Sequence, residues 1–474
     1  MKRKLPGGAL PITAAAALGF LIAAWYAGAP KLVWDSYIYL KLSETLLLGR
    51  YALSLSEPLH IKYPPGYPGL IALLSWLGLS PPQAAAALGV IAAAGSAGFT
   101  FALGRRSSYL TGYIAAVLVS INHIFLAYTV LALSDITFTA LVTAVFSALM
   151  LQNIRGFCAA VVLAAAAALV RYGGLFLLLP IGFFVYSTAQ GRSAAGDKRF
   201  WLVCLFAFAA LGLWAGMLIT NSHGTPAYAR ELRRLSGLGQ ALEFPLSLWR
   251  TGPCLVLSAA LGLGALSRKT VAGAALFLGP YVLLHMLWWW YSVRFYLPLL
   301  PFLSLSAAAA LRAGLESGSR LRAAGYSLLL VLAVAEQPLL TRTDRYEPRY
   351  HAFQSLIVYE PLQSLERWAR EHAQGAVFVV PEPTVYSRHL PAAKRILAYK
   401  ALPEALPQAG SAPLYAIDDT LHYRSLTKFI PPMKVEFPAL NLTAPGVKIT
   451  EVSANSTWQG DHRKVTVYRL GSMP

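Results

Sequence analysis

Asp35 closes a long apolar run and opens the segment Asp35-Ser-Tyr-Ile-Tyr39, and Lys62 stands just before the prolines of Lys62-Tyr-Pro-Pro-Gly-Tyr-Pro68. Ionisable groups at membrane depth are costly to keep for packing alone and mark function by default. A carboxylate held beside a lysine near lipid phosphates can take a proton from a nucleophile while the ammonium neutralises a departing phosphate. The spacing also admits a plainer role, because Asp is well suited to capping the N-terminus of a helix.

Further charges recur at the ends of apolar segments. Ser134-Asp135 opens one, Arg171-Tyr172 ends another, and Arg294-Phe-Tyr-Leu-Pro-Leu-Leu-Pro301 opens a third. Asp135 could equally cap its helix, and the two arginines could be anchors that snorkel to the interface. Two guanidiniums converging on one cavity would instead suit a phosphate clamp. Arg230, Arg233 and Arg234, with Arg250 nearby, form a basic cluster; it reads as the site of a bound anion or as the solvated face of a short helix. His60, His123, His223 and His285 are scattered and read as packed or interfacial residues. Trp288-Trp289-Trp290-Tyr291 reads as an interfacial aromatic belt. Cys158, Cys204 and Cys254 lie in apolar runs with neither disulfide nor metal spacing, so no metal site is assigned.

The elements that must position these residues are membrane spans. Charged residues make up 13% of the chain and hydrophobic ones 56%, against ~25% charged in ordinary soluble domains. The fold class is therefore a polytopic α-helical membrane protein. About eleven spans are predicted at 10–30, 84–103, 109–127, 135–152, 157–171, 172–187, 200–219, 251–266, 271–290, 296–311 and 324–337. The first reads as a retained anchor, since it lacks a clear small-residue cleavage site. Lys2, Arg3 and Lys4, Arg105-Arg106, Arg155, Arg192 with Lys198-Arg199, Arg268-Lys269, and Arg312 with Arg320 and Arg322 fall on alternate connections. The positive-inside rule makes those connections, and the N-terminus, cytoplasmic. The Asp35 loop (31–83), the 220–250 loop and the C-terminal tail are then outside, in an inner or plasma membrane. The net charge of +19 lies on both sides without basic–aromatic interleaving, which points to membrane lipids as partners and not to nucleic acid.

Two domains are expected, 1–337 in the membrane and 338–474 outside it. After Gln337-Pro338 the long apolar runs stop. A helical pattern at 360–373 and strand-like runs at 376–380, 395–399, 414–417, 448–452 and 465–470 predict a small extracytoplasmic α/β domain. Asn441-Leu-Thr443 and Asn455-Ser-Thr457 fit glycosylation sequons, which are common by chance. The first loop begins with a helix-compatible run to Gly49, suited to lie along the interface. Pro64-Pro65-Gly66 then turns the chain and holds Lys62 near the surface that carries Asp35.

Asp-x-Tyr-x-Tyr, Gly49-Arg-Tyr51 and the Pro-Pro-Gly-Tyr turn, followed in order by Ser134-Asp135, Arg171-Tyr172 and the Arg294–Pro301 segment, resemble the glycosyltransferase-C superfamily. The likeness is to its protein O-mannosyltransferase and aminoarabinose transferase branch, and it covers residues 1–311. The resemblance implies transfer of a sugar from a polyprenyl-phosphate donor to an extracytoplasmic acceptor, whether protein, glycolipid or polysaccharide. It maps the catalytic base to Asp35, an assisting acid to Asp135 and a donor-phosphate contact to Lys62, although here Tyr63 intervenes between the lysine and the prolines. Arg171, Arg294 and the Arg230, Arg233, Arg234 cluster are expected at the same phosphate, with Tyr37, Tyr63 and Tyr172 lining the substrate. No cofactor is assigned; branches of the superfamily differ in using a divalent metal, which is left open. The rival reading is a transporter or flippase for a lipid-linked anion, which would need charges along the spans and repeat symmetry.

This topology makes a direct prediction. In a Cys-free background, single cysteines at positions 56, 236 and 411, each replacing a serine, should all react with an impermeant reagent applied from outside. Labelling at 56 without 411 would move the tail to the cytoplasm.

Overall fold

A computed structural model of the chain describes residues 32, 34–53, 59–60, 62–129, 131–221, 245, 248–287, 292–343, 365–380, 383–398, 412–421, 447–451 and 463–472. Two compact units emerge. One comprises Met1–Lys31 with Leu42–Tyr350, and the other Leu32–Lys41 with His351–Pro474.

The first unit is a bundle of apolar helices. The expected first span lies outside the described residues, and the expected segments from 84–103 onward each coincide with a helix. Among the described residues, five helices are long and apolar enough to cross a membrane: Pro81–Gly104, Lys198–Met217, Arg268–Leu287, Val293–Glu316 and Arg320–Leu340. They become seven if each of two bent pairs is one span. Three shorter apolar helices, Asp135–Leu149, Ile154–Val170 and Pro253–Ala265, accompany them. Asp135–Leu149 is buried along nearly its whole length, as is Val293–Glu316, so these two form the centre of the bundle.

The expected straight span at 109–127 is bent by 62° between Tyr109–Ile121 and His123–Thr129. Asn122 makes the break. Its side-chain oxygen accepts the amides of Ile124 and Phe125 at 3.1 and 3.2 Å, the work of an N-cap, and so restarts the helix in a new direction. Gln337 fixes the corner: its oxygen accepts Asn122 Nδ2 at 3.1 Å, the His123 amide at 3.1 Å and His123 Nδ1 at 3.0 Å. The neighbouring Glu336 carboxylate accepts the amides of Cys254 and Leu255 at 2.9 and 3.0 Å, and so caps the helix that begins at Pro253. Free amides at a helix start need such partners most where water is scarce. The helix that supplies both caps runs from Arg320 through Pro338 to Thr343, past the expected segment end at 337.

The first-loop helix occupies Trp34–Leu47 and the Pro-braced turn leads directly into a helix at Gly66–Trp76. In the second unit, the described residues 365–372 are helical and the five strands expected from sequence are all present: β1 Val377–Val380, β2 Arg395–Ala398, β3 Leu414–Leu421, β4 Val447–Glu451 and β5 Arg463–Ser472. They form one sheet in the order β2-β1-β3-β5-β4. β1 is parallel to both β2 and β3, while β5 is antiparallel to β3 and β4. Every residue of β1 is buried, as expected of a strand covered on both faces.

Close helix packing in the first unit depends on Gly262. A Cβ there would lie 1.7 Å from the carbonyl oxygen of Ser306, whose hydroxyl donates to the Ala259 carbonyl at 2.6 Å. Small residues permit this approach between membrane helices. Gly262→Ala should force the helices apart and cost about 1–3 kcal/mol of stability. Gly264→Ala, where a Cβ meets nothing within 4 Å, should be tolerated. Thermal unfolding in detergent would compare the two, and equal effects would refute the packing argument.

Candidate active site

Three of the expected charges meet in the first unit. Asp135 occupies the first turn of its helix, Arg171 is the residue that ends Ile154–Val170, and Arg294 lies in the 3₁₀ segment Val293–Leu299. The acid at a helix start and the base at a helix end each complement the local helix dipole. The 3₁₀ form of the last segment suits a sequence in which Pro298 supplies no amide hydrogen.

Arg171 Nη1 donates to Asp135 Oδ1. The side chain of Asp135 is only 4% exposed and that of Arg171 is 20% exposed. The capping alternative for this residue does not hold, since Ser134 is at the cap position and Asp135 turns its carboxylate to the guanidinium. Its second oxygen, Oδ2, is buried with no hydrogen-bond partner among the described residues. Arg171 and Arg294 both approach one ring: their guanidinium carbons lie 5.9 and 5.7 Å from the centroid of Phe295. Arg294 is buried, so it does not snorkel out to the interface.

His285 and Tyr281 complete this cluster, and sequence reasoning gave neither a role in it. The His285 ring lies 4.2 Å from Phe295 and 4.3 Å from Tyr281, centroid to centroid, and its Nδ1 is 2.7 Å from the Tyr281 carbonyl oxygen. Tyr281 in turn stacks on Phe138, one turn along from Asp135. The signal that could have found them was their spacing of one helical turn on an otherwise apolar helix. Nothing in that local pattern names Asp135 or Arg294 as neighbours.

Lys62 belongs to a second group. Its ammonium lies 5.5 Å from the Tyr63 ring centroid, and Tyr63 stacks on His60 at 5.6 Å. Tyr51 pins the turn by donating its hydroxyl to the carbonyls of Tyr63 and Pro64 at 2.9 and 3.1 Å. Burial, and then the charge of Lys62, push the His60 imidazole down to about 4, so it is neutral at physiological pH. The turn is seated near Arg171. A Cβ on Gly66 would lie 2.6 Å from the carbonyl oxygen of Leu169, so the chain that follows Lys62 presses on the end of the helix carrying Arg171. Tyr172 follows Arg171 and is half-buried.

Asp35 falls in the first turn of Trp34–Leu47 and is half-buried. Its segment counts with the second unit, whereas Asp135, Arg171, Arg294 and Lys62 belong to the first. Tyr37 is fully buried and Tyr63 nearly so. Arg230, Arg233 and Arg234 lie outside the described residues, as do His223 and Trp288–Tyr291. Among the described residues no group of three or more His, Cys, Asp or Glu side chains could hold a metal ion.

The chain matches no family model and no curated protein. Solved structures do match. The structure of ArnT from Cupriavidus metallidurans bound to undecaprenyl phosphate superposes with a TM-score of 0.60 at 10% identity, over 97% of each chain. Its apo form gives 0.62 at 12% identity, again over 97% of each chain. ArnT, an aminoarabinose transferase, is an enzyme of glycosyltransferase-C fold. The chain has the glycosyltransferase-C fold. The oligosaccharyltransferase of Archaeoglobus fulgidus, of the same fold, matches in a structure tethered to an acceptor peptide. Its TM-score is 0.51 at 10% identity, over 88% of this chain and 70% of that one. The fold implied by the order of the sequence motifs is thus the fold observed.

The buried ion pair yields a prediction. Arg171→Gln leaves the Asp135 carboxylate without the guanidinium that solvates it, a change that costs roughly 3–5 kcal/mol for a buried pair and falls at the low end here because Arg171 is partly exposed. Adding Asp135→Asn should recover much of the loss. Unfolding in detergent measures it, and a double variant no more stable than Arg171→Gln would show that the two groups are not an electrostatic unit.

Proposed function

We propose that the protein is a membrane glycosyltransferase that moves a monosaccharide from a polyprenyl-phosphate donor to an extracytoplasmic acceptor. The observation that carries this is the partly buried Asp135–Arg171 pair beside Arg294, in a chain of glycosyltransferase-C fold. Charges buried among apolar helices are expensive, and they are kept where an anion or a reacting group must be held. The ArnT neighbour binds undecaprenyl phosphate, a ligand whose phosphate suits paired guanidiniums.

In the proposed reaction, Asp35 takes the proton of the acceptor hydroxyl, whose oxygen attacks the anomeric carbon. The bond from that carbon to the phosphate oxygen breaks, and polyprenyl phosphate leaves. Lys62, Arg171, Arg294 or the 230–234 arginines stabilise the charge that builds on the leaving phosphate. Asp135 assists in the site by orienting Arg171 through Oδ1. A single displacement inverts the anomeric centre. Residues 338–474 serve as an outer domain on the same side of the membrane as Asp35, with the N-terminus in the cytoplasm.

Purified protein in nanodiscs, given polyprenyl-phosphate sugars, would test the assignment. Asp35→Asn should bind the donor normally and lose ~10²–10⁴-fold in turnover, the usual cost of removing a general base. Arg294→Gln should lose donor affinity, and Arg105→Gln should change neither. Turnover near wild type in Asp35→Asn would reject the base, and unchanged donor affinity in Arg294→Gln would reject the clamp.

A further inference from the structure

The tail contributes to the first-loop helix a contact that neither sequence motif nor fold likeness assigns. The hydroxyl of Tyr37 lies 3.0 Å from His389 Nε2 in a buried hydrogen bond that joins positions 352 residues apart. The two rings also meet edge to face at 5.8 Å. Behind the imidazole, His389 Nδ1 faces Glu366 Oε2 at 3.5 Å, and the other oxygen of that carboxylate accepts from Arg370. Tyr37 is 1% exposed and His389 is 4% exposed, while Glu366 reaches solvent. All four residues belong to the same compact unit.

The sense of the bond depends on the His389 tautomer: the Tyr37 hydroxyl donates to Nε2 when the ring proton is on Nδ1, and accepts from Nε2 when the proton is there.

Tyr37 is two residues from Asp35 in the first turn of Trp34–Leu47. At 3.6 residues per turn, two residues subtend about 200°, so Tyr37 and Asp35 point to opposite sides of the helix. A pin on one side therefore fixes the rotation of the carboxylate on the other. The first turn of a helix is also where backbone bonding is incomplete and fraying begins. We infer that His389 is a positioning residue: through its bond to Tyr37 it holds the first helical turn, and with it Asp35, in the orientation used for proton abstraction. The catalytic part of this inference rests on the proposed role of Asp35. Tyr37, expected from sequence to line the substrate, acts in it as the anchor.

Two measurements on the full chain in nanodiscs test it. Hydrogen exchange read by mass spectrometry reports on the pin without any need for activity. His389→Ala and Tyr37→Phe should each raise exchange in residues 34–39 and leave the helix Asp135–Leu149 unchanged. Steady-state kinetics report on the consequence. Each variant should lower kcat about tenfold or more with the donor KM unchanged, since a misplacement of about 1 Å can cost ~10²-fold. The double variant should be no worse than the poorer single one, and His389→Gln, which can still accept the tyrosine hydroxyl, should recover most of the rate. Unaltered exchange in 34–39 overturns the pin, even if the wild-type protein transfers no sugar and the proposed function has failed separately. Altered exchange with wild-type kcat, or losses that multiply in the double variant, overturn the positioning role.

Discussion

A buried polar group in an apolar bundle has no water to turn to, and this constraint organises the rest of the structure. Asp135 and Arg171 answer each other at the ends of two helices. Glu336 and Gln337 answer the amides exposed where two other helices start. The helices bend and stop where such partners exist, so the polar residues decide the course of a chain that is mostly apolar. The same economy explains why the candidate site lies at helix ends. There, dipoles and caps already lower the cost of holding charge.

Much of the architecture could be read locally. Each strand of the tail carries a short β-type run bounded by turn residues, and all five were found with their ends shifted by a few residues. Their order in the sheet was not legible, because parallel pairing of β1 with β2 and β3 depends on connections that carry no local signature. The helical segments were legible from apolar length. The 62° bend was not, because Asn122 reads as one polar residue until Gln337 is seen to hold it. The helix ending at Thr343 runs past the expected limit at 337, and it absorbs Pro338 within its length.

The site divides along the same line. Asp135, Arg171 and Arg294 were each named from a motif at the edge of an apolar run, which is a local signal. That they share one ring and one ion pair is a fact of packing between elements far apart in sequence. His285 and Tyr281 sit in a helix whose pattern looks like ordinary core, and only Phe295 reveals their company. His389 had no signal at all, because its partner Tyr37 is at the other end of the chain. Identity of 10–12% with enzymes of the same fold agrees with this division. Apolar helices are replaceable by other apolar helices while the fold persists.

The adjacent pair Glu336-Gln337 has a consequence for biogenesis. A ribosome delivers Asn122 and Cys254 to the membrane well before it delivers residues 336 and 337, so the helices that start at those points are inserted with amides still awaiting their acceptors. The bundle is thus unfinished until the helix Arg320–Thr343 arrives, and that helix acts as its latch. A chain that terminates before it would leave donor groups bare in lipid at two separate corners. Such a chain is the kind of unsatisfied intermediate that membrane proteases and chaperones recognise, so completion of the latch marks the difference between a nascent segment and a mature protein.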